Sequence, residues 1–359
     1  MKNKFLYFAV IFFLNLFLSS SANSREIFNF DVTEIEITQN GNIFKGLKGG
    51  KAFTNDGISI KAENFEYNKI LTTLISDGNV ELRDSKKNII IKANKILYSK
   101  NNEIIIAEKD VELKDLKKNI LIKADKISYF KDQEKIIANK EVELKDLELE
   151  TIIRGDEISY FKKEEKIIAN KEVELIDNKK DIFINTDRIT YLKQKEKIFT
   201  EGKTIASIHS KYNFFSKNVT FLKNEMELSS SYKTIITDNT GSSYEVENFN
   251  FQIKKEFLKA SNISVIQNTA AKIGESERLF FESGFFDLKN KNFKTGSAKI
   301  NLKKDTFDKS ENDPRIYGVS ASKKNNITSI EKAVFTSCKK TDKCPPWQLE
   351  ASKIEHDKD

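Results

Sequence analysis

The sequence predicts an all-β protein, an elongated open antiparallel β-jelly roll built from stacked bent hairpins. Three observations lead to this fold class. A unit of 31 residues recurs along the chain, apolar and polar residues alternate within each unit, and polar turns without glycine join the arms. A fixed period of this length is typical of proteins in which each repeat buries its apolar face against its neighbours.

Each repeat has two arms. The closing tyrosines of the first arm and the closing aspartates of the second arm both recur at steps of 31 residues, and polar turns such as FKDQEK at 130–135 join the arms. The copies of the first arm are IKAENFEY at 60–67, IKANKILY at 91–98, IKADKISY at 122–129, IRGDEISY at 153–160 and INTDRITY at 184–191. The copies of the second arm are VELRD at 80–84, VELKD at 111–115, VELKD at 142–146 and VELID at 173–177.

The alternation changes phase in the middle of each arm. In the copy at 120–129, the apolar positions before Asp125 share one face, and those after Lys126 follow the opposite phase. Because a straight strand keeps its phase, we expect a bend or bulge at Asp125–Lys126 and another at Asn139–Glu141 of the second arm. Arms folded at these corners give two facing sheets around an apolar interior. The aspartates expected to form hydrogen bonds at the corners are Asp125, Asp156 and Asp187.

Other repeat folds explain the pattern less well. A parallel β-helix has shorter coils rich in glycine and asparagine, and a coiled coil needs heptads. Beyond residue 205 the period blurs into longer, more aromatic strands, whose phenylalanines either widen the interior or fill it, and the sequence favours core. Residues 303–318 are polar and rich in turn formers, which predicts a loop at the mouth of the roll.

The amino terminus predicts export. Lysines at positions 2 and 4 precede an apolar run from Phe5 to Leu18 and then a short stretch of small polar residues. This is the pattern of a signal peptide over residues 1–22, with cleavage after Ala22 or Ser24. The alternative is an uncleaved membrane anchor, but the run is short for a bilayer span. The two cysteines of an exported chain meet an oxidising environment.

Residues suited to catalysis are few. The net charge of +7 arises from 61 basic and 54 acidic side chains that are interspersed, which indicates solvated strand faces rather than a nucleic-acid-binding surface. His209 and His356 lie far apart and lack the spacing of metal ligands. Neither a G-x-S-x-G motif nor a glycine-rich phosphate loop is present. The sequence therefore predicts a non-enzymatic protein without metal, cofactor or nucleic acid.

The most specific short motif lies at the carboxy terminus. Residues 333–359 read AVFTSCKKTDKCPPWQLEASKIEHDKD. Together with the export signal and the strand repeat, this segment resembles the LptD family of lipopolysaccharide-assembly proteins (organic solvent tolerance, OstA-like). The resemblance covers nearly the whole chain. The repeat alone is shared with the soluble LptA bridge proteins and with LptC, so the motif with T-S-C and Pro-Pro-Trp is what selects LptD.

The resemblance implies a domain division and a function. Residues 23–315 are expected to form an OstA-like periplasmic jelly roll, and residues 316–359 the final strands and a cysteine-containing linker to an outer-membrane barrel that is absent from this chain. The expected location is the periplasm, in association with the cell outer membrane. Lipopolysaccharide is expected to arrive from an LptA-like bridge protein, with an LptE-like lipoprotein as a partner only if the barrel is present.

The two cysteines are the disulfide candidates that the resemblance provides. Family members carry a cysteine at the T-S-C position that bonds to cysteines of the barrel, and Cys338 matches it. Cys344 is a second cysteine in the same loop. The two can pair with each other, or one can await a distant partner.

The apolar faces of the repeat form the candidate lipid groove. Burial stabilises by about 0.8 kcal/mol per methylene, so an acyl chain of about 12 carbons gains roughly 10 kcal/mol. Near-identical copies let such a chain shift by one repeat with little net change in free energy. The competing interpretation is a dry core. The groove candidates are Ile91, Ala93, Ile96, Val111, Leu113, Ile122, Ala124, Ile127, Ile136, Ala138, Val142, Leu144, Ile158, Val173 and Leu175.

The strand at 26–38 is expected to lie at an edge and to pair with the bridge protein through Ile27, Phe28, Ile35 and Ile37. Two other functions stay open. A soluble LptA-like bridge accounts for the repeat but leaves the Cys–Pro-Pro-Trp motif without a role. A carbohydrate-active or adhesive repeat protein of the cell surface is the third possibility.

Overall fold

The computed structural model describes residues 28–266, 277–307, 311–341 and 346–357. Within these ranges the chain forms twenty-four β-strands and four short 3₁₀ turns, without an α-helix. Accordingly, no helix in the described part of the chain has the length and apolar character to cross a membrane. The prediction of an all-β fold of stacked antiparallel strands is confirmed.

The 3₁₀ turns are Gln39–Gly41, Lys193–Lys195, Ile253–Lys255 and Lys304–Phe307. The strands are β1 (Asn29–Thr38), β2 (Ile43–Phe53), β3 (Ile58–Ala62), β4 (Asn64–Asn68), β5 (Thr73–Asp84), β6 (Ile89–Ser99), β7 (Ile104–Asp115), β8 (Ile120–Phe130), β9 (Lys135–Asp146), β10 (Thr151–Phe161), β11 (Lys166–Asp177), β12 (Ile182–Leu192), β13 (Lys197–Ile208), β14 (Tyr212–Lys217), β15 (Thr220–Leu222), β16 (Glu227–Ser230), β17 (Thr234–Asp238), β18 (Ser243–Gln252), β19 (Phe257–Ile266), β20 (Arg278–Asp287), β21 (Asn292–Asn301), β22 (Arg315–Lys324), β23 (Ile327–Thr336) and β24 (Leu349–Asp357).

The strands form one antiparallel sheet in which most strands pair with the next along the chain. From β5 to β13 this meander is uninterrupted. Where a strand is broken at its bend, its two halves share neighbours. For example, β3 and β4 both pair with β2 and with β5. Pairing continues through β21, β22 and β23, so the segment after residue 315 belongs to the same sheet.

Each strand of the repeat bends at a bulge near its centre. Between β7 and β8, Lys109 and Asp110 of β7 oppose the single Asp125 of β8. Two residues opposite one form a β-bulge, which bends the strand and shifts the phase of its side chains. The same irregularity separates Lys123 from Lys126 in the pairing with β9. The predicted bend at Asp125–Lys126 is therefore confirmed.

The bulge holds two residues of the second arm in the left-handed region. Lys109, Lys140 and Lys171 have φ values of 65°, 64° and 63°. At the same repeat position Gly78 and Gly202 have φ values of 81° and 87°. Because glycine reaches positive φ without a Cβ clash, the outer copies carry the residue that this corner prefers. The three central copies adopt a similar backbone with lysine, at a cost of about 1–2 kcal/mol per residue.

Both halves of a bent strand bury the same face. Asp115 is the last residue of β7, a second arm, and Lys162 directly follows β10, a first arm, so the two residues lie at opposite ends of the antiparallel strands. Nζ of Lys162 nevertheless lies 3.1 Å from Oδ2 of Asp115, which shows that the bend brings the two ends of the strands together. The core is thus enclosed between facing halves, with the corner on one side and the turns on the other. In β8 the buried residues are Ile120, Ile122, Ala124, Ile127 and Tyr129.

The loop predicted at 303–318 is shorter than expected. Strand β22 begins at Arg315, so the prediction was wrong for residues 315–318. Ile316 packs against the core, and the buried guanidinium of Arg315 donates hydrogen bonds to the carbonyl oxygens of Asp313 and Cys338 at 3.0 and 2.6 Å. These contacts anchor a segment whose polar composition is typical of a loop.

Candidate functional site

The interior of the repeat is filled by its own side chains. All fifteen groove candidates face this interior and belong to one continuous core, and none is more than 8% exposed. The most exposed of them, Ala93 and Ala124, lie at the corners. The structure therefore places these residues together as predicted, in a packed core. Their contact with lipid stays a prediction.

Five buried tyrosines run along this interior close to the turns. They are Tyr67, Tyr98, Tyr129, Tyr160 and Tyr191, and none is more than 5% exposed. Burial raises the pKa of Tyr129, and the carboxylates of Asp84 and Asp115 add to the rise. The phenol therefore stays protonated at neutral pH. The tyrosines mark the level at which the apolar interior meets charged side chains.

Two rows of turns face each other on the side opposite the corners. The first turn row follows the first arms and contains residues 100–103, 131–134, 162–165 and 193–196. The second turn row follows the second arms and contains residues 85–88, 116–119, 147–150 and 178–181. We call the gap between the two rows the mouth.

Buried ion pairs cross the mouth. Four lysines, which directly follow β8, β10, β12 and β15, each reach the aspartate that ends a second arm, and all eight side chains are at most 9% exposed. We call them the mouth ion pairs. Their N–O distances are 3.6 Å for Lys131–Asp84, 3.1 Å for Lys162–Asp115, 3.1 Å for Lys193–Asp146 and 2.8 Å for Lys223–Asp177.

Each aspartate of the mouth ion pairs also holds its own turn. Oδ1 of Asp115 accepts hydrogen bonds from the backbone N–H groups of Lys117 and Lys118 at 3.1 and 3.2 Å. Its Oδ2 faces Lys162, whose Nζ also donates to the carbonyl oxygen of Lys87 at 3.1 Å. Because an isolated buried charge costs several kcal/mol, these contacts tie the two rows together.

A related pair lies at the amino-terminal end of the mouth. Nζ of Lys100 lies 2.5 Å from Oδ2 of Asp56. Partial burial raises the pKa of Asp56, but hydrogen bonds from Lys100 and Thr54 outweigh burial and lower this pKa to about 2. The carboxylate is therefore charged at every pH above that value, and it attracts Lys100 throughout.

Sequence reasoning missed the mouth ion pairs, although their signal was present. The aspartate that closes each VELxD arm and the lysine two residues after the tyrosine both recur at the repeat step. Hydrogen bonding was instead expected of the corner aspartates. Among these, Asp187 accepts a hydrogen bond from the backbone N–H of Lys203 at 3.1 Å, and Asp125 lies 3.5 Å from Nζ of Lys140.

Beyond the repeat the interior opens into two neighbouring cavities of about 410 and 450 Å³. Both volumes are within the range of small-molecule sites, about 300–1,000 Å³. Leu279, Phe293 and Lys323 line both cavities. The first cavity reaches the mouth, and its apolar wall consists of Tyr244, Val265, Leu279, Phe281, Phe286 and Phe293. The second lies between the last strands, where its apolar lining includes Ile300, Ile316, Ile330, Leu349 and Ile354.

The aromatic strands behave in both of the ways considered from the sequence. Phe214 and Phe249 stack with ring centres 5.7 Å apart and are fully buried, so they fill the core. Phe286 and Phe293 also approach each other, with ring centres 5.7 Å apart, but they line the first cavity. The change from filling to lining begins in β18, where Phe249 fills the core and Tyr244 lines the first cavity.

Strand β1 provides an edge. Within the described residues it pairs with β2 alone. Ile35 and Ile37 are 50% and 57% exposed, as expected for side chains available to a partner. Phe28 instead packs inward against Tyr67 and Tyr98, with ring centres 5.1 and 5.7 Å away, and Ile27 lies outside the described residues. Pairing with a bridge protein remains a prediction.

The cysteine and histidine candidates form no shared site. Cys338 is buried as a free thiol, with Sγ 3.7 Å from the carbonyl oxygen of Trp347, and Cys344 lies outside the described residues. The disulfide therefore stays a prediction. His209 occupies a turn and His356 lies in β24. Within the described ranges, no group of three or more His, Cys, Asp or Glu side chains is arranged to hold a metal ion.

Comparison with known proteins places part of this fold in a family. Residues 59–166 match the model described as LptA/(LptD N-terminal domain) LPS transport protein. No curated protein gives a significant match to the chain. Among solved structures, the chain is similar to LptH, the LptA homologous periplasmic component of the conserved lipopolysaccharide transport device from Pseudomonas aeruginosa. The identity is 13%, with 41% of this chain and 83% of LptH covered, and the TM-score of 0.20 lends the likeness no weight.

The matched segment contains the features that define the mouth. Residues 59–166 include the first two mouth ion pairs, Lys131–Asp84 and Lys162–Asp115, and the bulged strands from β5 to β10. The resemblance drawn from the sequence is thereby confirmed for this part of the chain. Residues 59–166 are similar to the OstA-type domain that LptA and the LptD amino-terminal region share.

Proposed function

We propose that this protein takes part in lipopolysaccharide transport, by holding acyl chains of lipid A in the apolar interior of its jelly roll. The observation that carries the proposal is that this interior opens into two ligand-sized cavities. The strands that enclose the cavities continue the sheet of residues 59–166, the segment that matches the LptA and LptD family model. The role needs no chemical step, cofactor or metal.

The energetics favour the acyl chains as the buried part of the ligand. Each methylene transferred from water into an apolar site gains about 0.8 kcal/mol. The cavity walls are aliphatic and aromatic, whereas lysines such as Lys289 and Lys291 lie at the mouth. A lipid with apolar chains and an anionic headgroup matches both parts, because its phosphates can remain near these lysines in water.

Passage through the repeat requires more than the cavities provide. Ile122, Leu144 and their equivalents are at most 1% exposed and leave the interior packed. An acyl chain enters there only if the facing halves separate. Because the copies are nearly identical, separation costs a similar free energy at each repeat, and lipid advances without being trapped at one of them.

The proposed course of transport runs from the amino-terminal edge to the carboxy-terminal strands. We propose a periplasmic location at the outer membrane, with residues 1–22 as the signal peptide and residues 23–315 as the jelly roll. An LptA-like bridge protein pairs with β1, and residues 316–359 lead toward an outer-membrane barrel. Cys338 or Cys344 then provides a disulfide to that barrel, and an LptE-like lipoprotein belongs to it.

A soluble LptA-like bridge is the second candidate. The matched family model covers LptA as well as the LptD amino-terminal domain, so the repeat fits either protein. Reading the gene beyond codon 359 distinguishes them. An open frame with alternating strands of about 10 residues favours the barrel, and a stop codon favours the bridge.

Lipid binding by the purified protein tests the proposal. The full mature chain is incubated with purified lipopolysaccharide, separated from free lipid and analysed by mass spectrometry after solvent extraction. We expect lipid A to remain with the protein and to be displaced by excess dodecyl phosphate. If washed protein retains no lipid A at saturating lipopolysaccharide, the proposal is wrong.

A further inference from the structure

Backbone hydrogen bonds define which residues occupy equivalent places in the first turn row. The N–H of Lys193 donates to the carbonyl oxygen of Glu165 in the preceding turn, at 3.0 Å. Lys223, Ile253 and Leu288 make the same bond to the turn before theirs, at 2.9, 2.8 and 3.0 Å. The position that carries a lysine in the repeat is therefore filled by isoleucine and then by leucine.

The second turn row continues in the same way. The residues directly after Asp177, Ile208 and Asp238 each donate an N–H to the preceding turn of this row, at 3.4, 2.9 and 3.1 Å. The aspartate position of the repeat is therefore filled by Ile208 and then by Asp238. We call a residue at the lysine position of the first turn row, together with the residue at the facing aspartate position of the second turn row, a rung of the mouth. Three successive rungs are Lys223–Asp177, Ile253–Ile208 and Leu288–Asp238.

These three rungs differ in chemistry. The first is the shortest mouth ion pair, and the second consists of two isoleucines that are each 1% exposed, so both rungs are closed. The third sets a leucine against a carboxylate, which cannot attract each other. Oδ1 of Asp238 still holds its own turn, as the aspartates of the repeat do, by accepting hydrogen bonds from the N–H groups of Thr240 and Ser242 at 2.9 and 3.0 Å.

The mouth opens at this mismatched rung. The first cavity is lined by Asp238 and its turn on one side and by Leu288 and its turn on the other, so it occupies the gap between the two rows. Its rim carries Lys211, Lys289, Lys291 and Lys323 against Asp238 and Asp287, and its floor is apolar. Because Nζ of Lys211 lies 2.5 Å from Oε2 of Glu256, the positive excess comes from the other three lysines. A positive rim above an apolar floor matches an amphiphile with an anionic headgroup.

We propose that the gap between Asp238 and Leu288 is a lateral port through which an anionic amphiphile enters or leaves the interior. The mouth ion pairs keep the repeat closed on the amino-terminal side of this port. The inference rests on the proposed function, because it takes the ligand to be an acyl-chain amphiphile, and it adds the place at which that ligand crosses the wall of the jelly roll.

One substitution restores the repeat pattern at the port. Leu288→Lys places a lysine opposite Asp238, as in the mouth ion pairs, and is expected to close the gap. Leu116→Lys is the matched control, because Leu116 lies in a turn of the second row and is 54% exposed. Binding of dodecyl phosphate and of purified lipopolysaccharide to each full-length variant is measured by isothermal titration calorimetry. We expect at least tenfold weaker binding for Leu288→Lys and unchanged binding for Leu116→Lys.

The direction of the effect separates closure from simple charge attraction. An added lysine at an open anionic-ligand site strengthens binding, so wild-type or tighter affinity of Leu288→Lys for both probes overturns the port. If lipopolysaccharide binds but is insensitive to Leu288→Lys, the proposed function stands and the port fails. If only dodecyl phosphate binds and is sensitive to Leu288→Lys, the port stands and the proposed function fails. Absence of binding by both probes contradicts both.

A measurement on the unmodified protein covers the case in which Leu288→Lys does not fold. A dodecyl phosphate that carries a diazirine on its alkyl chain is photolysed with the wild-type chain, and the labelled peptides are identified by mass spectrometry. We expect labelling within residues 279–293, around the port. Labelling confined to the repeat at 120–145 overturns the inference.

Discussion

The repeat and the strands that follow it use the same scaffold but enclose different interiors. From β5 to β13 the facing halves are packed and the mouth is crossed by buried lysine–aspartate pairs. From β18 onward the sheet continues with the same pairing, yet the interior holds cavities of about 410 and 450 Å³. The sheet alone therefore does not close the roll, and side chains at the mouth and in the interior decide whether it is open.

The largest effect is expected from breaking a mouth ion pair. Asp177→Ala leaves the ammonium of Lys223, which is 1% exposed, without its partner. Removing one member of a buried pair costs about 3–5 kcal/mol, so the free energy of unfolding should fall by that amount in urea titrations. The double variant Asp177→Leu, Lys223→Met should recover most of the loss, because an apolar rung already exists at Ile208 and Ile253.

An exposed ion pair provides the control for this prediction. Lys233 and Glu245 lie 2.5 Å apart with side chains that are 62% and 46% exposed. Glu245→Ala should change the free energy of unfolding by at most about 1 kcal/mol. A loss for Asp177→Ala no larger than that for Glu245→Ala contradicts the assigned role of the mouth ion pairs.

Matched core substitutions test the difference in packing. Leu144→Ala removes a side chain from the packed repeat and should lower the free energy of unfolding by about 2–5 kcal/mol. Leu279→Ala makes the same chemical change at a residue that lines both cavities, where fewer contacts are lost. Its cost should lie at or below the lower end of that range. Equal losses in urea unfolding would mean that the two interiors are packed alike.

The Asp56–Lys100 pair predicts a pH dependence with a defined sign. The pKa of Asp56 is about 2 in the folded protein against 3.8 as the ordinary value, so folding favours the charged carboxylate. Its contribution to stability is complete above the ordinary pKa and disappears as the pH falls from about 4 to about 2. Asp56→Asn should therefore be less stable than wild type at pH 7, by less than the effects above.

Thermal unfolding as a function of pH checks this prediction. The difference in melting temperature between wild type and Asp56→Asn should shrink steadily below pH 4 and vanish near pH 2. A difference that persists unchanged to pH 2 would show that the substitution acts through packing rather than through charge.

The smallest effect is expected at the corners. Lys140 has a φ of 64°, a conformation that glycine adopts at the equivalent Gly202. Lys140→Gly should raise the free energy of unfolding by at most about 1 kcal/mol, because relief of the backbone strain is partly offset by the entropy of glycine in the unfolded chain. Gly202→Ala is the counterpart, since its Cβ would lie 2.0 Å from Oδ2 of Asp187. It should destabilise the protein in the same assay.

Much of the fold could be predicted because its determinants are local. The alternation of Ile120, Ile122 and Ala124 and its change of phase at Asp125 fix both the strand and its bulge. The left-handed backbone of the central corners was hidden by lysine, although Gly78 and Gly202 stand at the same repeat position. Aligning the repeats would have placed these two glycines at the position of the three lysines and indicated a left-handed backbone there.

The site was less accessible from sequence because it depends on distant residues. Asp177 and Lys223 are charged residues at strand ends, and only their proximity in the folded chain shows that they form a buried pair. The cavities depend on how Phe281, Phe286 and Phe293 pack after the period has blurred. Strand periodicity places such residues inward but does not decide whether they fill the space.

Photocrosslinking in cells tests the central claim most directly. The azide analogue of phenylalanine replaces one aromatic residue at a time in the full chain. The positions are Phe286 in the first cavity, Tyr129 in the packed repeat, and the adjacent Phe285, which is 44% exposed on the outer face. We predict that lipopolysaccharide is captured strongly at position 286, weakly or only transiently at 129, and not at 285. Capture at 285 equal to that at 286, or none at either inward-facing position, would contradict a lipid-holding interior.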